Sequence, residues 1–302
     1  MTPRGRLKIV LVASAFAGTG WIAGASAAPD PSEIAALVER VGGRIGAYYQ
    51  RAQGLICLER NTVTPIESNW SVLGLSRVVE SELRVEVDES DGDSLPDARV
   101  TREILRVGGR EPRERDKTAR AGCTDPTPLS PEPLAFLLPG RRDDYVFTRV
   151  REGKEGDRAA LIIDFVSAKR SGKPELIEDE YGHKDCFDWT GPIAIAGRIW
   201  VDAGTHDVLR LDRHIAGPTD IRVPQPMRRK YGFFEDWVTI DRDDLTLRYK
   251  ETRFSDPDET ILLPESIDSM TIVRGGLQSM RRTQEFSGYR RFLTSSRFIK
   301  RQ

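Results

Sequence analysis

The hydrophobic positions of the chain follow a helical period only near its start. Asp30 is suited to cap a helix, Pro31 to fill its first position and Glu33 to complete a capping box. Apolar side chains then recur every three or four residues and form one stripe: Ile34, Leu37, Val38, Val41, Ile45 and Tyr48. Glycines within this stretch lower its helix propensity, so we expect packing to hold the helix in place.

Beyond Ile56 the pattern changes to the period of two that is typical of strands. Residues 79–87 alternate between apolar and charged side chains, which predicts a strand with one buried and one exposed face. Similar stretches continue to Phe286 with turn-forming sequences between them, so we expect about nine to eleven antiparallel strands. A short apolar segment, Ser130–Leu138, predicts a second helix that ends at Pro139.

These elements predict an α+β fold built on a single curved antiparallel sheet. A sheet with one apolar face must cover that face, and the two predicted helices are the elements available to do so. We therefore expect the N-terminal helix and the short second helix to lie on the concave face of the sheet. Any ligand is then expected to enter beside the longer helix.

Residues 1–27 have the features of a secretory signal peptide. Basic residues stand at the start, an apolar stretch follows from Ile9, and Ala25-Ser26-Ala27 fits the small-x-small cleavage site. We predict cleavage after Ala27 and a mature chain, residues 28–302, that forms one domain. No later segment reaches the ~20 apolar residues of a spanning helix. The expected location is therefore periplasmic or secreted, with no transmembrane segment after cleavage.

Export changes the interpretation of the three cysteines. Cys57 has apolar neighbours, which predicts a buried thiol. Cys123 and Cys186 lie in polar, turn-rich stretches, and we predict a disulfide between them; pairing of either with Cys57, or no disulfide, are the alternatives. The chain has no C-x-x-C or H-x-x-x-H spacing. We expect no metal and no other cofactor.

Charge narrows the range of partners. The 46 basic and 47 acidic residues leave a net charge of −1, which argues against a dedicated nucleic-acid-binding protein. Two arginine pairs, Arg281-Arg282 and Arg290-Arg291, are candidates for a rim that meets an anionic partner such as a lipid headgroup. The alternative is that these arginines are solvated and paired with nearby acids.

The sequence favours a protein that is not an enzyme. It contains no G-x-S-x-G, no H-E-x-x-H, no G-x-x-x-x-G-K and no G-x-G-x-x-G. Carboxylate pairs are abundant, but a glycosidase pair is defined by its geometry and not by its spacing in sequence. No residue is therefore assigned a catalytic role.

Several short segments resemble secreted bacterial proteins of unassigned function. They are Gly197–Asp202 with Val208–Leu211, Phe136–Pro139, Ile261–Pro264 and Phe286–Phe292. The order of elements is similar to that of the lipoprotein-carrier superfamily, which includes LolA, LolB and RseB. This resemblance implies an unclosed β-barrel whose helices plug an apolar concave side. It also implies a lipid or a lipoprotein acyl chain as the ligand.

Three functions remain open. They are an exported binding protein that shelters an apolar ligand, an envelope interaction or sensor protein without a small-molecule ligand, and a hydrolase that acts on envelope material. An apolar cavity favours the first, a packed interior the second, and clustered buried titratable groups the third. The residues expected to line the cavity are Val38, Val41, Leu83, Val85, Phe136, Leu137, Trp200, Leu209, Leu211 and Leu247.

Overall fold

The computed structural model describes residues 30–52, 54–87, 98–117, 133–168, 171–178 and 187–291. The signal peptide predicted at 1–27 lies outside these residues, as do Cys123 and Cys186, so the cleavage site and the disulfide stay predictions. Cys57 is buried, with 3% of its surface exposed, as its apolar neighbours predict. Among the described helices, none has the length and apolar character needed to span a membrane.

Helix α1, Pro31–Arg51, begins as the sequence predicts. The Asp30 side chain caps it by accepting a hydrogen bond from the Ser32 backbone N–H at 3.1 Å, and Pro31 fills the first position. The other described helices are short: α2, Glu114–Lys117; α3, Pro139–Arg142; and α4, Gln225–Tyr231.

The described residues form thirteen strands in one sheet. They are β1 Leu55–Ile66, β2 Arg77–Val87, β3 Ala98–Val107, β4 Tyr145–Glu155, β5 Arg158–Ser167, β6 Glu175–Glu178, β7 Phe187–Thr190, β8 Ile195–Asp202, β9 Val208–Ile215, β10 Thr219–Arg222, β11 Trp237–Ser255, β12 Asp258–Arg274 and β13 Ser279–Arg291. The strand count exceeds the expected nine to eleven because β6, β7 and β10 are only four residues long, too short to show alternation.

The main path of the sheet runs β3-β2-β1-β13-β12-β11-β9-β8-β5-β4, and β10, β6 and β7 branch from β11. All pairs are antiparallel except β10 with β6, where Arg222 lies opposite Glu175. The end strands β3 and β4 are not paired with each other within the described residues, so the sheet is unclosed.

The predicted second helix is wrong in extent and in its end point. The described part of Ser130–Leu138 contains only a 3-10 turn, Ala135–Leu137. Pro139 begins α3 instead of ending a helix, because the first position of a helix needs no backbone N–H donor. The segment still supplies the second cover of the concave face, since Leu137 is fully buried there.

The main core joins the α1 stripe to strands from both halves of the sheet. Val41 of α1 belongs to the same buried cluster as Leu83 of β2 and Ile163 of β5, which lie near opposite ends of the strand order. One helix shares a core with such distant strands only if the sheet curves around it. The predicted α+β fold, with α1 across the concave face of a single curved sheet, is therefore confirmed.

A second cluster lies near the start of β11. Leu176 of β6 and Met227 of α4 pack with Val238 and Ile240, near the start of β11. The β6–β7 hairpin and α4 thus extend the cover that α1 begins.

Candidate functional site

Most of the predicted cavity-lining residues are packed into the core of the concave face beneath α1. Val41, Leu137, Leu211 and Leu247 are each 0% exposed, Val38 is 1% exposed, and all five belong to the main core with Leu83. Side chains packed in this way contact one another, as in any close-packed interior.

Phe136 lies at the edge of this core. Its ring stacks at a tilt against Tyr145 and Phe165, with centroid distances of 4.9 Å and 4.8 Å. The side chain of Val85 lies outside the described residues.

Trp200 and Leu209 do not lie on the concave face. They form a separate cluster with Ala160, on the face opposite to Ile199 and Leu211. Trp200 alternates with Ile199 along β8 and so points to the other face. A register shift between Trp200 and Val201 places Leu209 there as well, which alternation alone does not reveal.

An open cleft of about 320 Å³ lies beside α1, and we call it the α1 cleft. Its walls come from the C-terminal half of α1, the turn between β8 and β9, and the long β11–β12 hairpin. The apolar and aromatic lining residues are Ile45, Ala47, Tyr48, Leu134, Val208, Tyr249, Ile261 and Leu262. The polar lining residues are Arg44, Arg51, Arg158, Thr205, Asp207, Glu251 and Thr260.

Two tyrosines form part of the apolar wall. The rings of Tyr48 and Tyr249 meet edge to face, with centroids 6.3 Å apart. This is a favourable aromatic geometry, and it fixes α1 against β11 at the cleft.

Two ion pairs tie α1 to the sheet at the cleft. Arg44 donates to both carboxylate oxygens of Asp207, at 2.7 Å and 3.0 Å. Arg51 donates to Glu259 at 3.1 Å and to the Thr260 carbonyl oxygen at 2.8 Å. Because the hydrogen bonds that Arg44 donates to Asp207 stabilise its charged guanidinium, the pKa of Arg44 is raised.

Arg158 makes a third charged contact at the cleft, to Asp202 and Glu251 at 2.8 Å and 2.6 Å. Burial of Asp202 opposes its ionised form, but hydrogen bonds from the Thr205 N–H, Arg158 and the Gly204 N–H outweigh this and lower its pKa. The turn between β8 and β9 is therefore held by an ionised Asp202.

The structure separates the four arginines predicted to form one rim. Arg281 is exposed and Arg282 is only 9% exposed, because neighbouring residues of a strand point to opposite faces. Arg290 pairs with Glu82 on β2, whereas Arg291 pairs with Glu259 beside the end of α1. These side chains do not make a common surface.

None of the charged residues that line the cleft is predicted from the sequence. Arg44 and Arg51 lie on the polar side of α1, where solvent exposure is the ordinary expectation. Their partners are distant in sequence, and Arg51 is separated from Glu259 by 208 positions. The one indication in the sequence is the spacing of Arg44, Tyr48 and Arg51, which places these three residues along one side of α1.

Comparisons with known proteins give structural likenesses only. No protein-family model matches the chain, and no curated protein matches it either. A LolA superfamily protein from Nitrosomonas europaea is 8% identical, with a TM-score of 0.33, over 86% of this chain and 94% of that one. A DUF1329 family protein from Desulfovibrio piger is 13% identical, with a TM-score of 0.38, over 89% of this chain and 96% of that one. Both TM-scores are below 0.5, so neither likeness supports the fold assignment. The fold assignment rests on the strand pairing described above.

Proposed function

We propose that this chain is an exported binding protein that holds the apolar chain of a lipid or another amphiphile in the α1 cleft. The observation that supports this function is the lining of the cleft, where apolar and aromatic side chains form the walls and ion-paired arginines stand among them. An amphiphile requires this combination, because its hydrocarbon chain leaves water while its headgroup stays at a polar surface.

The size of the cleft limits the ligand. About 320 Å³ is at the lower end of the ~300–1,000 Å³ typical of small-molecule sites. It suits one hydrocarbon chain better than the several chains of a complete lipoprotein anchor. The ligand lies beside α1 and not beneath it, since side chains of the chain itself fill the concave face.

A second candidate function is an envelope interaction or sensor protein without a small-molecule ligand. The packing of the concave face favours it, because Val41, Leu211 and Leu247 are fully buried there by other side chains of the protein. Four large apolar side chains between β1 and β2 also stay exposed, namely Trp70, Val72, Leu73 and Leu75.

The third function, a hydrolase, is not supported by the described residues. The two carboxylates that line the cleft, Asp207 and Glu251, are each bound by an arginine. No group of three or more potential metal ligands occurs among the described side chains. Burial raises the pKa of the Cys57 thiol to about 12, which keeps it protonated at neutral pH.

The experiment is a titration with 1-N-phenylnaphthylamine, whose fluorescence rises in an apolar site, followed by displacement with palmitate. Ala47 lines the cleft and Ala36 is exposed on the same helix, so Ala47→Trp and Ala36→Trp form a matched pair. We expect Ala47→Trp to weaken probe binding at least about tenfold, or 1.4 kcal/mol, and Ala36→Trp to leave it unchanged. Equal binding by both variants excludes the cleft, and absence of binding by the unmodified protein favours the second candidate.

A further inference from the structure

The arginines that α1 contributes to the α1 cleft already bind carboxylates of the protein. Arg44 donates to both oxygens of Asp207, which is the bidentate geometry of a strong charge-assisted contact. Arg51 donates to Glu259 from two of its nitrogens, at 3.1 Å and 3.2 Å. Glu259 also binds Arg291. Each of these carboxylates lies close enough to cancel the charge of the arginine that it binds.

Arg158, the third arginine of the cleft, lies between two carboxylates. It contacts Asp202 at 2.8 Å and Glu251 at 2.6 Å. Glu251 remains open to an incoming headgroup, because 59% of its side chain is exposed. The three arginines that line the cleft therefore contact four carboxylates: Asp202, Asp207, Glu251 and Glu259. These contacts leave the lining with no excess of positive charge.

A negatively charged headgroup gains little in such a cleft. An arginine that binds a carboxylate attracts a second anion weakly, because the carboxylate repels that anion over nearly the same distance. The anion also gives up part of its hydration as it enters the cleft. Without a net positive charge in the lining, this loss of hydration is not offset.

The same residues suit an uncharged headgroup that carries hydroxyl groups. A carboxylate oxygen accepts more than one hydrogen bond, so Asp207 and Glu251 can accept from hydroxyl donors while they bind their arginines. The hydroxyl groups of Thr205 and Thr260, which also line the cleft, can donate as well as accept. A glycerol headgroup likewise donates and accepts, whereas an ionised carboxylate only accepts.

We infer, on the basis of the function proposed above, that the α1 cleft selects amphiphiles with an uncharged, hydroxylated headgroup over anionic amphiphiles that have the same hydrocarbon chain. A monoacylglycerol belongs to the selected class, and a fatty acid belongs to the other. Glu251 is the residue that discriminates most directly, because its exposed carboxylate repels an anionic headgroup at the cleft.

Laurate and 1-monolauroylglycerol test this selectivity, since they carry the same acyl chain and differ in the charge of the headgroup. Each is used to displace 1-N-phenylnaphthylamine from the unmodified protein, below its micelle-forming concentration and at about pH 8, where laurate is ionised. We expect the monoacylglycerol to bind at least about fivefold more tightly than laurate. Laurate that binds as tightly as the monoacylglycerol, or more tightly, overturns the inference.

The variant Glu251→Gln tests the residue that discriminates. It removes the negative charge and keeps a side-chain oxygen that accepts hydrogen bonds. We expect Glu251→Gln to bind laurate at least about threefold more tightly than the unmodified protein does. Glu285→Gln is the matched control, because Glu285 is an exposed acid of β13 outside the lining of the cleft. Unchanged laurate affinity in Glu251→Gln, or an equal gain in Glu285→Gln, contradicts the inference.

Failure of the selectivity and failure of the proposed function give different results. If the probe does not bind, binds equally to Ala47→Trp, or is displaced by neither ligand, the proposed function fails and the selectivity fails with it. If the probe binds in the cleft and laurate displaces it as well as the monoacylglycerol does, only the selectivity fails.

Discussion

Gly42 of helix α1 stands directly against the carbonyl oxygen of Leu137. A methyl group added at Gly42 lies 2.7 Å from that oxygen, which is closer than carbon and oxygen approach without displacement. A glycine in mid-helix is unfavourable by about 1 kcal/mol relative to alanine. Here it allows α1 to approach the 3-10 turn closely enough for Val41 and Leu137 to be fully buried.

The substitution Gly42→Ala is therefore expected to destabilise the protein by about 1–2 kcal/mol, because overpacking exceeds the gain in helix propensity. Gly43 is the matched control, since an added methyl group meets no atom within 4 Å there. Gly43→Ala is expected to stabilise by about 0.5–1 kcal/mol. Urea unfolding of the two variants measures both values, and the same sign for both contradicts the packing described for α1.

Gly197 of β8 has a similar role in the sheet. An added methyl group lies 2.3 Å from the Asp212 carbonyl oxygen and 2.5 Å from the Phe165 ring. We expect Gly197→Ala to cost about 2–3 kcal/mol, because both backbone and ring must move. Gly204→Ala, in the turn that follows β8, meets only ordinary contacts and is expected to change the free energy of unfolding by less than about 0.5 kcal/mol. Comparable losses for the two variants contradict this account.

Asp202 is predicted to make stability depend on acid pH. Its pKa is lower in the folded protein than its ordinary value of about 3.8, so its contribution is complete only above about pH 5 and begins to fall below that. That contribution is lost as the pH falls through the folded-state pKa. Asp202→Asn is expected to lower the urea midpoint at pH 7 and to lose less stability between pH 4 and pH 2 than the unmodified protein. Parallel pH profiles for the two proteins contradict the role of the carboxylate.

The sequence predicts α1 and the alternating strands well because both patterns are local. The stripe that contains Val38 and Val41 needs only the helical period, and Asp30 marks its start. Strand neighbours are not local, since β1 pairs with β13 and places Val63 opposite Arg282. The periodicity of one strand carries no information about which distant strand it joins.

The residues of the site are predicted less well, for two physical reasons. A register shift turns Leu209 to the opposite face from the one that alternation predicts. Charged residues are also assigned to the surface by default, which predicts a rim position for Arg282 and no buried role for Glu59. Their burial depends on hydrogen bonds between separate strands, such as that from Gln284 to Glu59.

The ion pair between Arg44 and Asp207 is expected to hold the C-terminal half of α1 over the cleft. Both side chains are partly exposed, so Arg44→Met is expected to lower the global free energy of unfolding by less than about 1 kcal/mol. The larger effect of Arg44→Met is local: the backbone amides in the second half of α1 are expected to exchange their hydrogens faster. Arg40→Met, at an exposed position one turn earlier, is the control. Unchanged exchange in Arg44→Met contradicts a role of this pair in holding the helix.

The central claim is that an amphiphile occupies the α1 cleft. The most direct measurement is native mass spectrometry of the full chain, purified without detergent from the compartment to which the cell exports it. The account predicts a bound species of lipid mass in the unmodified protein and in Ala36→Trp, and its absence from Ala47→Trp. A bare protein mass for all three, or the same bound species in Ala47→Trp, contradicts the claim.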